Sequence, residues 1–213
     1  MQKGVNAVIG EECRDRLTIL TLDRPARRNA LTGAMLADLI AALDRAEARG
    51  TDALILTGTG PVFSAGADLD EARAGLATSP LWEALSARMA AMPCLTVAAL
   101  NGTLAGGAFG VVLACDLRIG VEGAGFFYPV MKLGFLPQPS DPHRMAALIG
   151  PSRARMILMA GARIGAQEAL DWGLLDRIVP DAALMTEAEA LCAAALEAPK
   201  GHAGAIKAVM NRG

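Results

Sequence analysis

Whether this chain spans a membrane or folds in water depends on LTVAALNGTLAGGAFGVVLACD, residues 95–116. No residue before the last is charged, and three glycines repeat at the GxxxG spacing that membrane helices use for contact. The run is also long enough, since a spanning helix takes about 20 apolar residues. However, Asn101-Gly102 is a turn signal, and Gly106-Gly107 weakens a helix centre. The stretch therefore predicts a buried strand, a glycine turn, and a helix that begins near Gly106-Gly107.

A helix that begins in this turn has backbone groups suited to an anionic oxygen. Its first N–H groups lack acceptors within the helix, and the positive end of the helix dipole lies there. FSAGADL, residues 63–69, is a second glycine turn that comes before a predicted helix. Each turn thus puts backbone N–H groups at a helix start, and its glycines allow close approach to the backbone. The alternative is that the glycines only permit tight turns and close packing.

The composition of the whole chain narrows the possible functions. Its 213 residues suit one good-sized domain, and the net charge of −2 without a basic block predicts no nucleic-acid partner. The start, MQKGVNAVIGEECRDR, has charges where an export signal would have its apolar core, so we expect a cytoplasmic protein without a membrane span. The four cysteines are widely spaced and there are only two histidines, which predicts buried free thiols and no metal site.

Apolar patterns predict strand–helix pairs first and helices last. We expect strands at residues 16–23, 52–58 and 94–100, a helix capped by Thr32, and a helix over 81–92. From Asp141 onward the pattern is mostly helical, with LDRIVP as a short strand. This order predicts an α/β fold. We place a core domain at residues 1–195 and the start of a C-terminal helical region at residues 196–213.

Four motifs occur together along most of the chain. They are RPARRNALT (24–32), FSAGADL, NGTLAGGAFG (101–110) and GARIGAQEALDWGLLDRIVP (161–180). From Arg16 to Lys207 the chain resembles the crotonase (enoyl-CoA hydratase/isomerase) superfamily. The resemblance implies a spiral of ββα repeats that binds an acyl-CoA thioester in fatty acid metabolism, with coenzyme A as part of the substrate and no permanent cofactor. It also implies a homo-trimer or a dimer of trimers, and a C-terminal helical part that is truncated after AIKAVMNRG.

The resemblance also assigns roles to individual positions. It implies an oxyanion hole made by the backbone N–H groups of Ala67 and Gly107, which stabilises the enolate of the thioester. Arg24, Arg27 and Arg28 are candidates for the phosphates of coenzyme A, since guanidinium groups suit phosphate. The substrate-binding positions implied are Arg28, Ala30, Ala65, Asp68, Leu69, Ala105, Gly106, Pro129, Val130 and Leu133.

The acid–base positions of the family carry no carboxylate in this chain. Gly110 and Val130 stand where the hydratases have glutamates, and Gln138 stands where some members have an acid. Hydration needs a base for water and an acid for the α carbon, so the standard hydratase mechanism is not supported. Nearby alternatives are Asp141 with His143, then Tyr128 and Glu71. Three of them also have a structural interpretation, because Asp141 before a proline is typical of a helix start, His143 of a helix surface, and Tyr128 beside a proline of packing. Ser64 has no assignable triad partners.

Two functions from different classes remain. The first is an acyl-CoA enzyme of the lyase or isomerase class with another proton strategy, such as a malonyl-type decarboxylase, a thioester hydrolase, or a hydratase or isomerase that uses other groups. The second is a non-catalytic acyl-CoA-binding or scaffolding protein. An enzyme predicts a polar group within reach of the thioester. A binding protein predicts a wholly apolar pocket, or one that is blocked by Phe109 or Phe127.

Overall fold

The computed structural model describes residues 8–210, in which strands alternate with helices. The strands are β1 (Ile9–Arg14), β2 (Leu17–Leu22), β3 (Ala53–Gly58), β4 (Val62–Ser64), β5 (Leu95–Leu100), β6 (Thr103–Ala105), β7 (Leu117–Val121), β8 (Gly125–Phe127), β9 (Arg163–Gly165) and β10 (Arg177–Val179). The helices are α1 (Gly33–Ala48), α2 (Leu69–Arg73), α3 (Leu81–Ala90), α4 (Phe109–Leu113), α5 (Val130–Leu133), α6 (Asp141–Ile149), α7 (Pro151–Leu158), α8 (Ala166–Trp172), α9 (Leu184–Glu197) and α10 (His202–Met210).

The strands form two sheets. The larger sheet has the order β1-β2-β3-β5-β7-β10, and only its β1–β2 pair is antiparallel within the described residues. The smaller sheet has the order β4-β6-β8-β9, in which β9 runs antiparallel to β8. Every residue of β3 except the last is buried, as is typical of a parallel strand covered on both faces.

Three successive units repeat the same path through both sheets. A long strand of the larger sheet leads to a short strand of the smaller sheet and then to a helix, in β3–β4–α2, β5–β6–α4 and β7–β8–α5. This arrangement confirms the predicted α/β spiral of ββα repeats. The long strands were predicted from their apolar runs. The short strands were not, because three residues are too few for a periodic signal.

The glycine-rich stretch resolves into β5, β6, a 3-10 turn at Gly106–Ala108 and α4. The first glycine of the stretch, Gly102, allows two backbone segments to pack closely, because a Cβ there would lie 2.1 Å from the Pro61 carbonyl oxygen. The helix is shorter than the pattern predicted, at five residues. Among residues 8–210, no helix combines the length and the apolar character needed to cross a bilayer.

The C-terminal part is mostly helical, as predicted, and two short strands, β9 and β10, tie it to the two sheets. Helix α9 packs against β3, β5 and β7, and it runs through the predicted boundary at residue 195. The first seven and last three residues of the predicted domains lie outside the described range. The prediction of buried thiols needs one correction, because Cys13 is exposed on the edge strand β1 while Cys94, Cys115 and Cys192 are buried.

Thr32 caps α1, as the sequence predicted, because its side-chain oxygen accepts a hydrogen bond of 3.1 Å from the Met35 N–H. We expect Thr32→Ala to lower the free energy of unfolding by about 1 kcal/mol, the usual cost of a lost N-cap. Thr32→Asn keeps a capping oxygen and serves as the matched control. Urea unfolding of the three proteins measures both values, and equal losses in the two variants would contradict the capping role.

Candidate active site

The two glycine turns meet at Gly66 and Gly106. A Cβ at Gly66 would lie 2.9 Å from the Ala105 carbonyl oxygen and 3.3 Å from the Gly106 Cα. Both glycines also have left-handed backbones, with φ of 88° and 56°. A larger residue at Gly66 would be strained and would push the two backbones apart. Glycine therefore brings the ends of β4 and β6 into contact.

This contact brings Ala67 and Gly107 to the wall of one cavity of about 160 Å³. Each follows directly after one of the two contacting glycines. No backbone carbonyl within residues 8–210 accepts a hydrogen bond from the N–H of either residue. The ring of Trp82 packs under Gly107, where a Cβ would lie 3.1 Å from it. Two unengaged backbone donors thus border the same small cavity.

The arginine-containing turn is attached to the first donor loop by backbone hydrogen bonds. The Ala65 N–H donates to the Arg28 carbonyl at 2.9 Å, and the Leu31 N–H donates to the Gly66 carbonyl at 2.7 Å. The Asp68 N–H then donates to the Leu31 carbonyl at 2.8 Å. These three bonds hold the loop on both sides of Ala67.

Asp68 organises this loop through its side chain. One carboxylate oxygen accepts from the Asp70 N–H and so caps α2, and the other lies 2.8 Å from Arg24 and 3.4 Å from Arg27. The bond from Arg24 holds the pKa of Asp68 below its usual range. Arg24 also donates to the Ala30 carbonyl at 3.0 Å. Of the three arginines predicted to bind phosphate, two are therefore paired with Asp68, whereas Arg28 has an exposed side chain.

The cavity wall is apolar apart from two side chains. It is formed by Ala65, Ala67, Leu69, Ala72, Ala77, Trp82, Gly106, Gly107, Tyr128, Pro129, Val130, Leu133, Phe135, Leu136 and Gln138. Nine of these were predicted site residues, whereas the predicted Arg28, Ala30, Asp68, Ala105, Asp141 and His143 lie outside the wall. Trp82, Phe135 and Leu136 were missed, because an apolar residue in the sequence carries no sign that it faces a cavity. Phe109 and Phe127 do not line the cavity, so neither blocks it.

Tyr128 links the cavity wall to a buried carboxyl group. Its hydroxyl donates a hydrogen bond of 2.9 Å to Asp141 Oδ2, and its ring stacks on Phe109 with 5.5 Å between the centroids. Asp141 is completely buried, and its Oδ1 has no hydrogen-bond partner in the described chain. That oxygen lies 2.9 Å from the point where a Cβ of Gly110 would stand. The carboxyl thus occupies space that a side chain at Gly110 would fill.

Burial raises the pKa of Asp141 to about 6. The hydrogen bond from Tyr128 acts in the opposite direction, as does the charge of Arg144, while the charge of Glu83 adds to the increase. Both charged side chains are held close by, since Glu83 accepts from the Ser140 N–H at 3.2 Å and Arg144 donates to the Ser86 hydroxyl at 2.9 Å. Burial also raises the pKa of Tyr128, and the neighbouring Asp141 adds to that shift.

The other sequence candidates for acid–base or nucleophilic work have structural roles or lie apart. His143 is exposed on α6, so the structure does not form the proposed Asp141–His143 pair. Glu71 accepts from the Gly33 N–H at 2.7 Å at the start of α1 and does not line the cavity. Ser64 donates to the Asn29 carbonyl at 2.8 Å, which supports the donor loop.

A larger cavity of about 440 Å³ lies elsewhere, beside α9 and α10. Its wall is mostly apolar and includes Leu95, Leu117, Ile206 and Met210. It contains neither glycine turn, so the smaller cavity is the better candidate for chemistry despite its size.

Comparison with known proteins identifies the family of this chain. The family model for enoyl-CoA hydratase/isomerase matches residues 12–213. The chain belongs to the enoyl-CoA hydratase/isomerase family. One relative in this family is the putative enoyl-CoA hydratase/isomerase YngF of Bacillus subtilis, which is 36% identical over 188 residues, 84% of this chain and 72% of that protein. Another relative, 4-chlorobenzoyl coenzyme A dehalogenase-1 of Arthrobacter, is 30% identical and covers 96% of this chain and 78% of its own length.

Solved structures of the enoyl-CoA hydratase/isomerase family share the fold. An enoyl-CoA hydratase from Bacillus anthracis superimposes with a TM-score of 0.89 at 30% identity, over 97% of this chain and 83% of that one. An enoyl-CoA hydratase from Mycobacterium tuberculosis gives a TM-score of 0.86 at 33% identity, over 97% and 90% of the two chains. These matches confirm the predicted crotonase-type architecture.

Proposed function

We propose that this chain is an enzyme that binds an acyl-CoA thioester and stabilises its enolate with the backbone N–H groups of Ala67 and Gly107. The observation that carries the proposal is that two donors without backbone acceptors border one cavity. Reaction at the α carbon of a thioester places negative charge on the carbonyl oxygen. Fixed donors at that oxygen stabilise the charge without reorganising, and they are often the largest single contribution to catalysis.

The wall of the cavity favours an enzyme over a purely binding protein. A binding protein was expected to have a wholly apolar or blocked pocket. The cavity instead is open to Tyr128 and Gln138 and is not blocked by either phenylalanine. Tyr128, a residue of the same wall as Ala67 and Gly107, carries a hydroxyl group, which is a proton donor.

The reaction that this wall supports best is decarboxylation of a malonyl-type thioester. The wall contains no carboxylate, so it offers no base in direct contact with the substrate. Decarboxylation needs none: the bond to the carboxylate carbon breaks, CO₂ leaves, and the electron pair remains as the enolate. The two N–H groups then hold the enolate oxygen until a proton is added to the α carbon. The dehalogenase relative shows that members of this family differ in the reaction they catalyse.

The size of the cavity supports a short acyl group. About 160 Å³ is small compared with the roughly 300–1,000 Å³ of pockets that hold drug-sized ligands. The rest of coenzyme A would lie outside, across the exposed Leu69, Leu133 and Leu136 at the rim, with Arg28 available to its phosphates. As the family resemblance implies, we further propose a cytoplasmic homo-trimer that receives coenzyme A only as part of its substrate.

The first test is a panel of crotonyl-, malonyl-, methylmalonyl- and acetyl-CoA. We expect calorimetry to show binding of short-chain thioesters, and mass spectrometry to show loss of CO₂ from a malonyl-type member. Long-chain acyl-CoAs are the matched comparison and should bind more weakly, because the cavity cannot enclose their chains. Binding without turnover of any member would support the scaffolding protein instead, and absence of binding would contradict the proposed site.

A further inference from the structure

The proposed reaction leaves an enolate that needs a proton, and one hydrogen bond of the structure leads from the cavity to a proton source. Tyr128 contributes to the cavity wall, while its hydroxyl is bonded to the completely buried Asp141. No other residue of the wall has a side chain that titrates. The hydroxyl of Tyr128 is therefore the group in the described wall best suited to deliver a proton.

We propose that Tyr128 protonates the α carbon of the enolate and that Asp141 is the positioning residue that holds the Tyr128 hydroxyl and restores its proton. This inference rests on the proposed function. The O–H bond of Tyr128 breaks as the new C–H bond forms at the α carbon, and the enolate electrons supply that bond. The resulting phenolate takes the proton of the Asp141 carboxylic acid, which is then reprotonated from water. With the CO₂ lost earlier, one proton replaces one carboxylate on the substrate.

In both proton transfers the donor is a stronger acid than the group that is formed. A phenol is a far stronger acid than the α C–H of a thioester, so protonation of the enolate by Tyr128 is downhill. A carboxylic acid is in turn a stronger acid than a phenol, so Asp141 can return the proton to the phenolate. The buried site favours neutral groups at the end of the cycle.

Gly110 provides the space that Asp141 needs. Asp141 Oδ1 lies 2.9 Å from the point where a Cβ of Gly110 would stand, so a side chain there would collide with the carboxyl. An oxygen that is buried without a partner costs stability, so its persistence calls for an explanation other than packing. A carboxylic acid that alternates between protonated and ionised forms is such an explanation, because it needs an oxygen that is not held by a permanent donor.

Burial and the neighbouring charges bring the pKa of Asp141 close to neutral pH. Burial is the main cause of its raised pKa, Glu83 on α3 adds to it, and Arg144 on α6 and the hydroxyl of Tyr128 oppose it. A pKa of about 6 leaves a protonated fraction of Asp141 near neutral pH, where an ordinary aspartate would have almost none. Proton return to Tyr128 should therefore weaken as the pH rises through this range.

In the first test the protein decarboxylates methylmalonyl-CoA in D₂O. The configuration of the product then shows which face of the α carbon has received deuterium. A fixed donor such as Tyr128 gives one configuration of the labelled propionyl-CoA. Tyr128→Phe keeps the ring that stacks on Phe109 but removes the hydroxyl, so we expect mixed configurations in the propionyl-CoA that this variant forms, because its deuterium then comes from solvent. A single configuration in both proteins would contradict the role of Tyr128.

A second measurement, the NMR signal of Tyr128, needs no substrate turnover. Tyr128 is the only tyrosine of the chain, so a ¹³C label at its ring carbon Cζ gives one NMR signal. We expect that signal to shift with a midpoint near pH 6 and to lose the titration in Asp141→Asn. The exposed Asp38→Asn serves as the matched control and should keep it. A midpoint that persists in Asp141→Asn would overturn the coupling.

These outcomes separate the inference from the proposed function. Wild-type protein that binds the thioester and releases CO₂, but deuterates both faces equally, contradicts the Tyr128–Asp141 pair and leaves the proposed function standing. Wild-type protein that binds no acyl-CoA contradicts the proposed function itself. Binding of the thioester without release of CO₂ contradicts the proposed enzymatic function and the pair together, because no enolate is then formed.

Discussion

Replacing the Ala67 amide by an ester should lower kcat about 10²–10³-fold, the usual effect of removing one oxyanion donor. The ester puts an oxygen where the backbone N–H stands and keeps the side chain and nearly the same shape. No backbone carbonyl in the described chain depends on this N–H, so the fold should tolerate its loss. The measurement is CO₂ release from the turned-over member of the acyl-CoA panel, with circular dichroism to confirm folding.

The matched control is the same replacement at Gly123, an exposed turn residue outside the cavity wall. It introduces the same chemistry into the backbone and should leave kcat within a factor of about two, because it removes no donor from the site. If the two esters have equal activity, the Ala67 N–H does not stabilise the transition state.

Asp141 lowers the free energy of unfolding at neutral pH, because burial penalises its ionised form. We expect Asp141→Asn to raise the free energy of unfolding at neutral pH by about 2–3 kcal/mol. The reason is that burial raises the pKa of Asp141 from 3.8 to about 6, and each pKa unit corresponds to about 1.4 kcal/mol. The amide of asparagine can still accept from Tyr128 and carries no charge that burial would penalise, although its NH₂ group then takes the place of the unpartnered Oδ1 and offsets part of the gain.

The stability difference between wild type and Asp141→Asn should depend on pH. A carboxyl whose pKa is higher in the folded state binds more protons when folded, so its penalty is fully present above about pH 6 and is relieved as the pH falls toward its unfolded value. The difference between wild type and Asp141→Asn should therefore be largest above about pH 6 and vanish near pH 4. Urea unfolding across this range measures it, and the exposed Asp38→Asn should differ from wild type by less than about 0.5 kcal/mol at every pH. A loss of stability in Asp141→Asn at neutral pH would contradict the buried-charge account.

The sequence predicted the features that depend on local patterns. The apolar run of β3 indicated a buried strand, the Thr32 cap marked the start of α1, and the glycines marked the two turns that meet at Gly66 and Gly106. The order of motifs along the chain pointed to the fold, which the family match and the solved structures confirm.

Features that depend on packing between distant elements were not predictable in the same way. Asp141 was a candidate because it lies two residues from His143, whereas the structure pairs it with Tyr128 and leaves His143 exposed. The relation between Asp141 and Gly110 joins two helices, and nothing in the sequence shows that one fills the space left by the other. The arginines near the first turn likewise suggested phosphate contacts, although Asp68 holds two of them.

The most direct test of the account is the carbonyl stretching frequency of a ¹³C-labelled short-chain acyl-CoA bound to the wild-type protein. Hydrogen bonds from Ala67 and Gly107 would draw electrons toward the thioester oxygen and weaken the C=O bond. We predict that the bound carbonyl absorbs at a lower frequency than in water, and that the Ala67 ester reverses much of this shift. A bound carbonyl with the frequency found in an apolar solvent would contradict the oxyanion site.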